Sequence, residues 1–248
     1  MNIPLKNAEE LAAMRVSCRM AAEVLAAVAA AVAPGVTTGE LDLLARRLIE
    51  ERKARPSFLG YRKYPAAMCI SVNDEVIHGI PGRRVVQPGD VVSLDVGVLK
   101  GGFHGDCATT VMVGVTDPEV IRLVEATRRA LAAAVAAARP GGRLSDVSHA
   151  VQGIAEASGC SVVRDFVGHG VGRHLHEDPQ IPNYGKPGRG PVLRPGMTLA
   201  IEPMVNLGGG AVRVLDDGWT VVTKDGRPSA HFEHTVAVLG ESVEILTV

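Results

Sequence analysis

The chain has 248 residues, of which 46% are hydrophobic, and a formal net charge of −1 with no long run of either sign. That balance argues against a nucleic-acid surface, and an aromatic content of 3% leaves few platforms on which bases could stack. Cys18, Cys69, Cys107 and Cys160 are scattered and form no Cys-x-x-Cys, so neither a zinc ribbon nor a dithiol redox motif is signalled, and reduced thiols in a cytoplasmic protein are expected.

Residues 7–33 predict a helix, because apolar positions recur at i, i+3 and i+4 and Ala is abundant. Lys6, Glu9, Glu10, Arg15 and Arg19 interrupt the start, so no signal peptide is expected. The apolar run at 24–36 is too short to cross a bilayer and reads as buried helix; no membrane partner is expected. Pro34-Gly35 ends the helix, and Thr37-Thr38-Gly39-Glu40 has capping-box spacing for a second one to about residue 53. A strand at 68–72, a turn at Asn73-Asp74, a strand at 76–78 and the loop Gly79-Ile80-Pro81-Gly82 follow.

Residues 91–98 and 103–113 predict a β-hairpin around Leu99-Lys100-Gly101-Gly102. If Lys100-Gly101 is the loop, Asp95 lies directly opposite Asp106; a three-residue loop would instead set Asp95 against Cys107. Cross-strand Cβ atoms are roughly 4.5–5.5 Å apart, and two carboxylates so placed call for a cation. The opposite face, Val92, Leu94, Val96 and Val98, is apolar and should pack on a helix.

The pattern then restarts. Thr116-Asp117-Pro118-Glu119 has the spacing of another capping box, a helix runs to about 138, Pro140-Gly141 stops it, and a further helix covers about 145–158. Pro34-Gly35 and Pro140-Gly141 are 106 positions apart; Pro88-Gly89 precedes Asp95, and Pro195-Gly196 precedes Glu202, at an offset of 107. A duplicated helix–helix–strand unit is expected, roughly 7–113 and 117–240, fused into one sheet within a single domain over 1–248. The fold class is α/β in the α+β sense, with two helices per half on a mainly antiparallel sheet.

The second half adds chemistry. His169 stands among glycines in Phe166-Val167-Gly168-His169-Gly170-Val171-Gly172, and His176 follows seven residues later. Glu202 sits in an apolar strand just before Pro203. Residues 231–238 read as one strand in which Glu233 shares a face with His231 and Thr235. A buried charge needs a partner or a metal. Asp95, Asp106, Glu202 and Glu233 carry four negative charges that two divalent cations would balance, with His169 as a nitrogen donor. Mostly oxygen donors suit Mn²⁺, Fe²⁺, Co²⁺ or Zn²⁺ better than a structural zinc. Two such ions, roughly 3.5–4 Å apart, would lower the pKa of a bridging water, which points to metal-assisted hydrolysis. His104, His149, His174, His231 and His234 are read as structural.

The motifs His78-Gly79-Ile80-Pro81, Asp95 with Phe103-His104-Gly105-Asp106, Gly168-His169-Gly170-Val171-Gly172 with His176-Glu177, Ile201-Glu202-Pro203-Met204 and Phe232-Glu233-His234-Thr235 together resemble those of the type I methionine aminopeptidases of metallopeptidase family M24. The resemblance covers nearly the whole chain, and it implies the pita-bread fold of two pseudo-symmetric halves. It implies that Asp95 chelates one metal, that Asp106 and Glu233 bridge two, that His169 and Glu202 complete the second site, and that Glu202 also shuttles the proton. His78 would contact the scissile amide nitrogen, and His176 would stabilise the tetrahedral intermediate. Phe58, Tyr61, Tyr64, Cys69, Leu175 and Trp219, with His78 at the edge, would hold the methionine side chain. A sodium or potassium ion would fall near Asn73, Glu75 and Ser229.

The implied activity is removal of initiator methionine from nascent proteins whose second residue is small, by a monomer that docks at the ribosome. Three positions depart from the family pattern: Leu175 replaces an aromatic residue, Phe58 a small residue or cysteine, and Gly97 a hydroxyl residue that supports the bridging water. Only 26 positions separate His176 from Glu202, leaving little room for the large insertion of type II enzymes. Two alternatives remain. An X-Pro aminopeptidase or prolidase would carry a further N-terminal domain, for which a helix starting near residue 7 leaves no room. A non-enzymatic peptide-binding member of the fold would have lost ligands that are present here.

Overall fold

In the computed structural model, which describes residues 3–248, the large sheet has nine strands with every pair antiparallel. Four α-helices among the described residues pack against it. Helix α1 (Ala8–Ala31) starts after Asn7, whose side chain accepts from Glu10 N at 2.9 Å while the Glu10 carboxylate accepts from Asn7 N at 3.0 Å. Its buried stripe of Met14, Cys18, Ala21, Val24 and Val28 follows the helical repeat. Helix α2 (Thr38–Glu51) has the capping box expected from Thr37 and Glu40.

Helix α3 (Pro118–Ala137) corrects the expected box at Thr116. Its cap is Asp117, which accepts from Glu119 N, and the Glu119 carboxylate turns outward to Arg122 and Arg227. Pro118, at the first helical position, costs no hydrogen bond there. Helix α4 (Leu144–Ala157) follows the turn at Pro140-Gly141.

From one edge, the sheet runs Arg55–Pro56, Val91–Lys100, Phe103–Met112, Glu233–Val238, Thr198–Ile201, Val167–Gly170 and Glu177–Pro182. Met68–Val72 also pairs with Val91–Lys100, and Val243–Ile245 with Glu233–Val238. The two halves join where Glu233 pairs with Ala108 and His234 with Cys107. One core lies between α1, α2 and the first-half strands, with Val92, Leu94, Val96 and Val98 fully buried in it. The other lies between α3, α4 and the second-half strands.

The duplication recurs in the hydrogen bonds. Gly35 N donates to Val86 O at 2.9 Å and Gly141 N to Leu193 O at 2.8 Å; Thr38 N donates to Arg84 O at 2.9 Å and Leu144 N to Pro191 O at 3.0 Å. The same backbone connection therefore ties each helix pair to the segment that leads into its half of the sheet.

The hairpin register differs from expectation. The loop is Gly101-Gly102, with Lys100 opposite Phe103, so Asp95 faces Ala108 and Asp106 faces Gly97. Both loop glycines have positive φ, 60° and 81°, as a turn matched to strand twist requires; Lys100-Gly101 would have forced Lys100 into that region. The shift is two residues, which preserves the face. Asp95 and Asp106 are therefore diagonal neighbours on the side of the hairpin away from the helices.

The strand read at 231–238 is also interrupted. Ser229–His231 pairs with Met204–Asn206 in a small sheet, and Glu233–Val238 pairs with Thr198–Ile201 in the large one. Register carries through the gap, with Met204 opposite His231 and Ile201 opposite His234. The ladder opens at Pro203, which has no N–H to donate, and there Glu202 and Glu233 face each other.

Candidate active site

Asp95, Asp106, His169, Glu202 and Glu233 line one cavity of about 250 Å³. Each is placed by backbone geometry. Asp106 is held on both main-chain atoms by Thr235 Oγ1, which donates to Asp106 O at 2.8 Å and lies 3.2 Å from Asp106 N. His169 lies on Val167–Gly170, whose flanking glycines allow the neighbouring chain to come close. A Cβ at Gly168 would lie 2.5 Å from Ala200 O, and one at Gly170 would lie 2.2 Å from Asp178 O.

The imidazole of His169 donates from Nδ1 to Gly170 O at 2.9 Å. Nε2 is thereby left with a free lone pair facing the cavity. Asp106, His169 and Glu233 each offer one ligand atom, and these atoms all lie within 4.8 Å of one another.

The donor set is short of cations. Asp95 Oδ1, Asp106 Oδ1 and Glu233 Oε1 are buried without a hydrogen-bond partner among the described residues. Burial, followed by mutual repulsion, pushes Asp95, Asp106 and Glu233 well above the usual carboxylate range. Burial pushes Glu202 up to about 8. Orphaned oxygens of this kind are expensive unless paired or bound to metal. Oxygen-rich donors with one imidazole fit divalent cations of the Mn²⁺ to Zn²⁺ class.

Two further histidines face the same space. His78 follows the Glu75–Ile77 strand with φ of 60°, a left-handed conformation that is strained for a non-glycine residue. Its ring stands edge-on to Trp219 and Phe166. His176 Nδ1 lies 2.8 Å from the Tyr61 hydroxyl. Burial holds both rings down to about 4, hence neutral at physiological pH. Where the Tyr61 hydroxyl donates to Nδ1, the proton of His176 resides on Nε2 and that edge is a donor. The loop carrying His176 is pinned by a buried ion pair, Lys6 Nζ to Glu177 Oε2 at 2.5 Å.

The apolar end of the cavity gathers Phe58, Tyr64, Cys69 and Leu175, all buried, with Tyr61 and Trp219 packed against them. The Tyr64 hydroxyl lies 2.9 Å from Gly79 O, and its ring meets Trp219 edge-on at 5.0 Å. Cys69 stands opposite Asp95 in register, so apolar pocket and acidic cluster share a wall.

Arg62 and Phe166 also line the cavity, and neither is marked by the sequence. His231, structural on sequence grounds, lies 3.4 Å from Glu202 Oε2 through its Nε2. The one hint to it was its alternation with Glu233. His104 and His234 do have structural roles, bonded to Ser57 and Thr247.

Asn73, Glu75 and Ser229 lie together beside the small sheets: Ser229 N donates to Asn73 O at 2.9 Å. Their side chains have protein partners, Asp90 for Asn73, Val72 N for Glu75 and Asn206 for Ser229.

A family model described as metallopeptidase family M24 matches residues 12–239. The chain belongs to metallopeptidase family M24. Within M24, it is 50% identical over 245 residues to methionine aminopeptidase of Clostridium perfringens, covering 99% of this chain and 98% of the relative. It is 44% identical to methionine aminopeptidase of Escherichia coli, covering 100% and 94%. The crystal structure of methionine aminopeptidase from Thermotoga maritima superposes with a TM-score of 0.98 at 48% identity, covering 99% of each chain. A prolidase from Pyrococcus furiosus shares the fold, with a TM-score of 0.81 at 23% identity, this chain spanning 65% of its length. The M24 fold is the pita-bread arrangement of two pseudo-symmetric halves, as the recurring helix pairs show. No helix among the described residues is long and apolar enough to cross a membrane.

Proposed function

We propose that this chain is a methionine aminopeptidase that removes initiator methionine from nascent proteins with a small second residue. The observation that carries the reading is one cavity with two ends: orphaned carboxylate oxygens at one, a cluster of apolar side chains at the other. Burying a Met side chain stabilises by about 1.5–3 kcal/mol, and aromatic edges suit its thioether. Asp95, Asp106, His169, Glu202 and Glu233 would hold two divalent ions, Co, Mn, Fe or Zn, with Asp106 and Glu233 as the residues that would serve both. Such ions, when bound, supply Lewis acidity and lower the pKa of water toward neutrality.

The chain's own residues do the rest. Phe58, Tyr64, Cys69, Leu175 and Trp219 bind the methionine side chain. Glu202 takes a proton from the attacking water and returns it to the leaving amine. His78 contacts the scissile nitrogen. His176, its Nδ1 tied to Tyr61, presents Nε2–H to the developing oxyanion. Asn73, Glu75 and Ser229 mark a sodium or potassium site, with carbonyl oxygens as donors since the side chains are engaged.

The working unit is the single domain 1–248, a monomer in the cytoplasm that meets its substrates at the ribosome. The test is methionine release from Met-Ala-Ser against Met-Leu-Ser after chelation and metal restoration. Metal-dependent cleavage of the first, at least about tenfold faster than the second, is expected; equal rates would overturn the small-residue requirement.

A further inference from the structure

Four buried side-chain atoms lack a hydrogen-bond partner among the described residues: three are carboxylate oxygens of the acidic cluster, and the fourth is His231 Nε2. His231 is 2% exposed, and its main chain is fixed on both sides by Thr110, whose hydroxyl donates to His231 O at 2.7 Å and lies 3.0 Å from His231 N. Thr110 is in turn 2.9 Å from Ser93 Oγ. The backbone that aims this imidazole is therefore locked to the hairpin carrying Asp95 and Asp106.

The Glu202 carboxylate lies between two imidazoles of different character. Its Oε1 is 3.5 Å from His169 Nε2, and its Oε2 is 3.4 Å from His231 Nε2. His169 already donates from Nδ1, so once Glu202 is ionised its Oε1 and His169 Nε2 are two lone-pair atoms facing each other, an arrangement that a shared cation completes. His231 Nε2 carries no such constraint, and the Glu202 Oε2 that faces it at 3.4 Å is an acceptor for an N–H there.

We infer that His231 is a positioning residue that holds Glu202 Oε2 through an Nε2–H donor, leaving Oε1 for the cation shared with His169. This rests on the aminopeptidase reading for Glu202 as the proton carrier, but not for the metal half of the inference. The imidazole fixes one oxygen of a carboxylate that must otherwise choose between two directions. Its loss weakens the second cation site and the proton transfer while leaving the methionine pocket intact.

The experiment compares His231→Gln, which keeps an N–H donor on a side chain of similar reach, with His231→Met and His231→Leu, which fill the space without one. Two apolar variants guard against one failing to fold. Mn²⁺ is titrated calorimetrically into chelator-stripped protein, and kcat and KM are measured on Met-Ala-Ser. The Met and Leu variants are expected to bind the weaker Mn²⁺ about 10–100-fold less tightly and to lose about tenfold or more in kcat, with KM within about threefold. The Gln variant is expected to stay within about threefold of the parent in both. Parent-like Mn²⁺ binding and kcat in a folded Met or Leu variant overturns the inference. So does a Gln variant as impaired as the Met one, which assigns His231 to packing. If the parent binds Mn²⁺ yet releases no methionine, the aminopeptidase reading fails, and the titration alone decides the role of His231.

Discussion

Phe58 occupies the space that a side chain at position 97 would need: a Cβ on Gly97 would lie 2.7 Å from Phe58 Cε1 and 2.7 Å from Ser57 Cβ. Ser57 N also donates to Gly97 O at 2.8 Å, and Gly97 faces Asp106 across the hairpin. The bulky side chain at position 58 and the glycine at position 97 are thus one packing solution rather than two independent features. Gly97→Ser is expected to destabilise by about 1–3 kcal/mol through overpacking. Phe58→Ala is destabilising by itself, but in its background Gly97→Ser should cost less, the relief being partial because Ser57 still crowds the site. Urea denaturation of the two single variants and the double variant measures the coupling, expected at about 0.5 kcal/mol or more. Simple additivity would contradict the pairing.

Stability should report the acidic cluster through pH. In the metal-free folded chain Glu202 stays protonated up to about pH 8, whereas unfolded it ionises near the ordinary glutamate value of 4.5. Asp95, Asp106 and Glu233 shift in the same direction. A raised carboxylate pKa means the folded state holds more protons, so this contribution falls as pH rises from the unfolded pKa toward the folded one. Bound cations remove that penalty. The difference in Tm between metal-loaded and chelated protein should therefore be small at pH 5 and larger at pH 8, as read by differential scanning fluorimetry. The histidine shifts run the other way, downward, and are common to both samples for His78 and His176.

Asp106→Asn isolates one charge of that cluster. Removing it relieves repulsion, so the chelated variant should melt at or above the parent temperature. The metal-induced rise in Tm should shrink, and methionine release should fall about a hundredfold or more. Full activity in this variant would remove Asp106 from the ligand set.

The Tyr61–His176 contact makes a narrower prediction. Tyr61→Phe keeps the ring but removes the hydroxyl that is hydrogen-bonded to His176 Nδ1. One hydrogen bond is worth about 0.5–1.5 kcal/mol, so kcat should drop roughly two- to tenfold with little change in Tm. An unchanged kcat would leave Tyr61 as pocket wall only.

The cap of α2, the apolar face of the hairpin and the duplicated Pro-Gly landmarks were legible because each is encoded within a few neighbouring residues, whereas the Asn7–Glu10 cap of α1 was not singled out. The acidic and histidine motifs were legible for the same reason, as charges embedded in apolar strands. The hairpin register was not, because Lys100-Gly101 and Gly101-Gly102 are both plausible turns until the sign of φ at position 100 is known. The break between His231 and Glu233 was hidden because its cause, Pro203, lies on the partner strand. The aim of His231 at Glu202 and the clash of position 97 with Phe58 are through-space facts with no local pattern.

The central claim is tested most directly by hydrolysis of Met-Ala-Ser beside Ala-Pro-Ser, each after chelation and after anaerobic return of Co²⁺, Mn²⁺, Fe²⁺ or Zn²⁺. Metal-restored release of methionine, with the proline peptide left intact, is the predicted result. Cleavage of Ala-Pro-Ser alone, or of neither peptide with any metal, would contradict it.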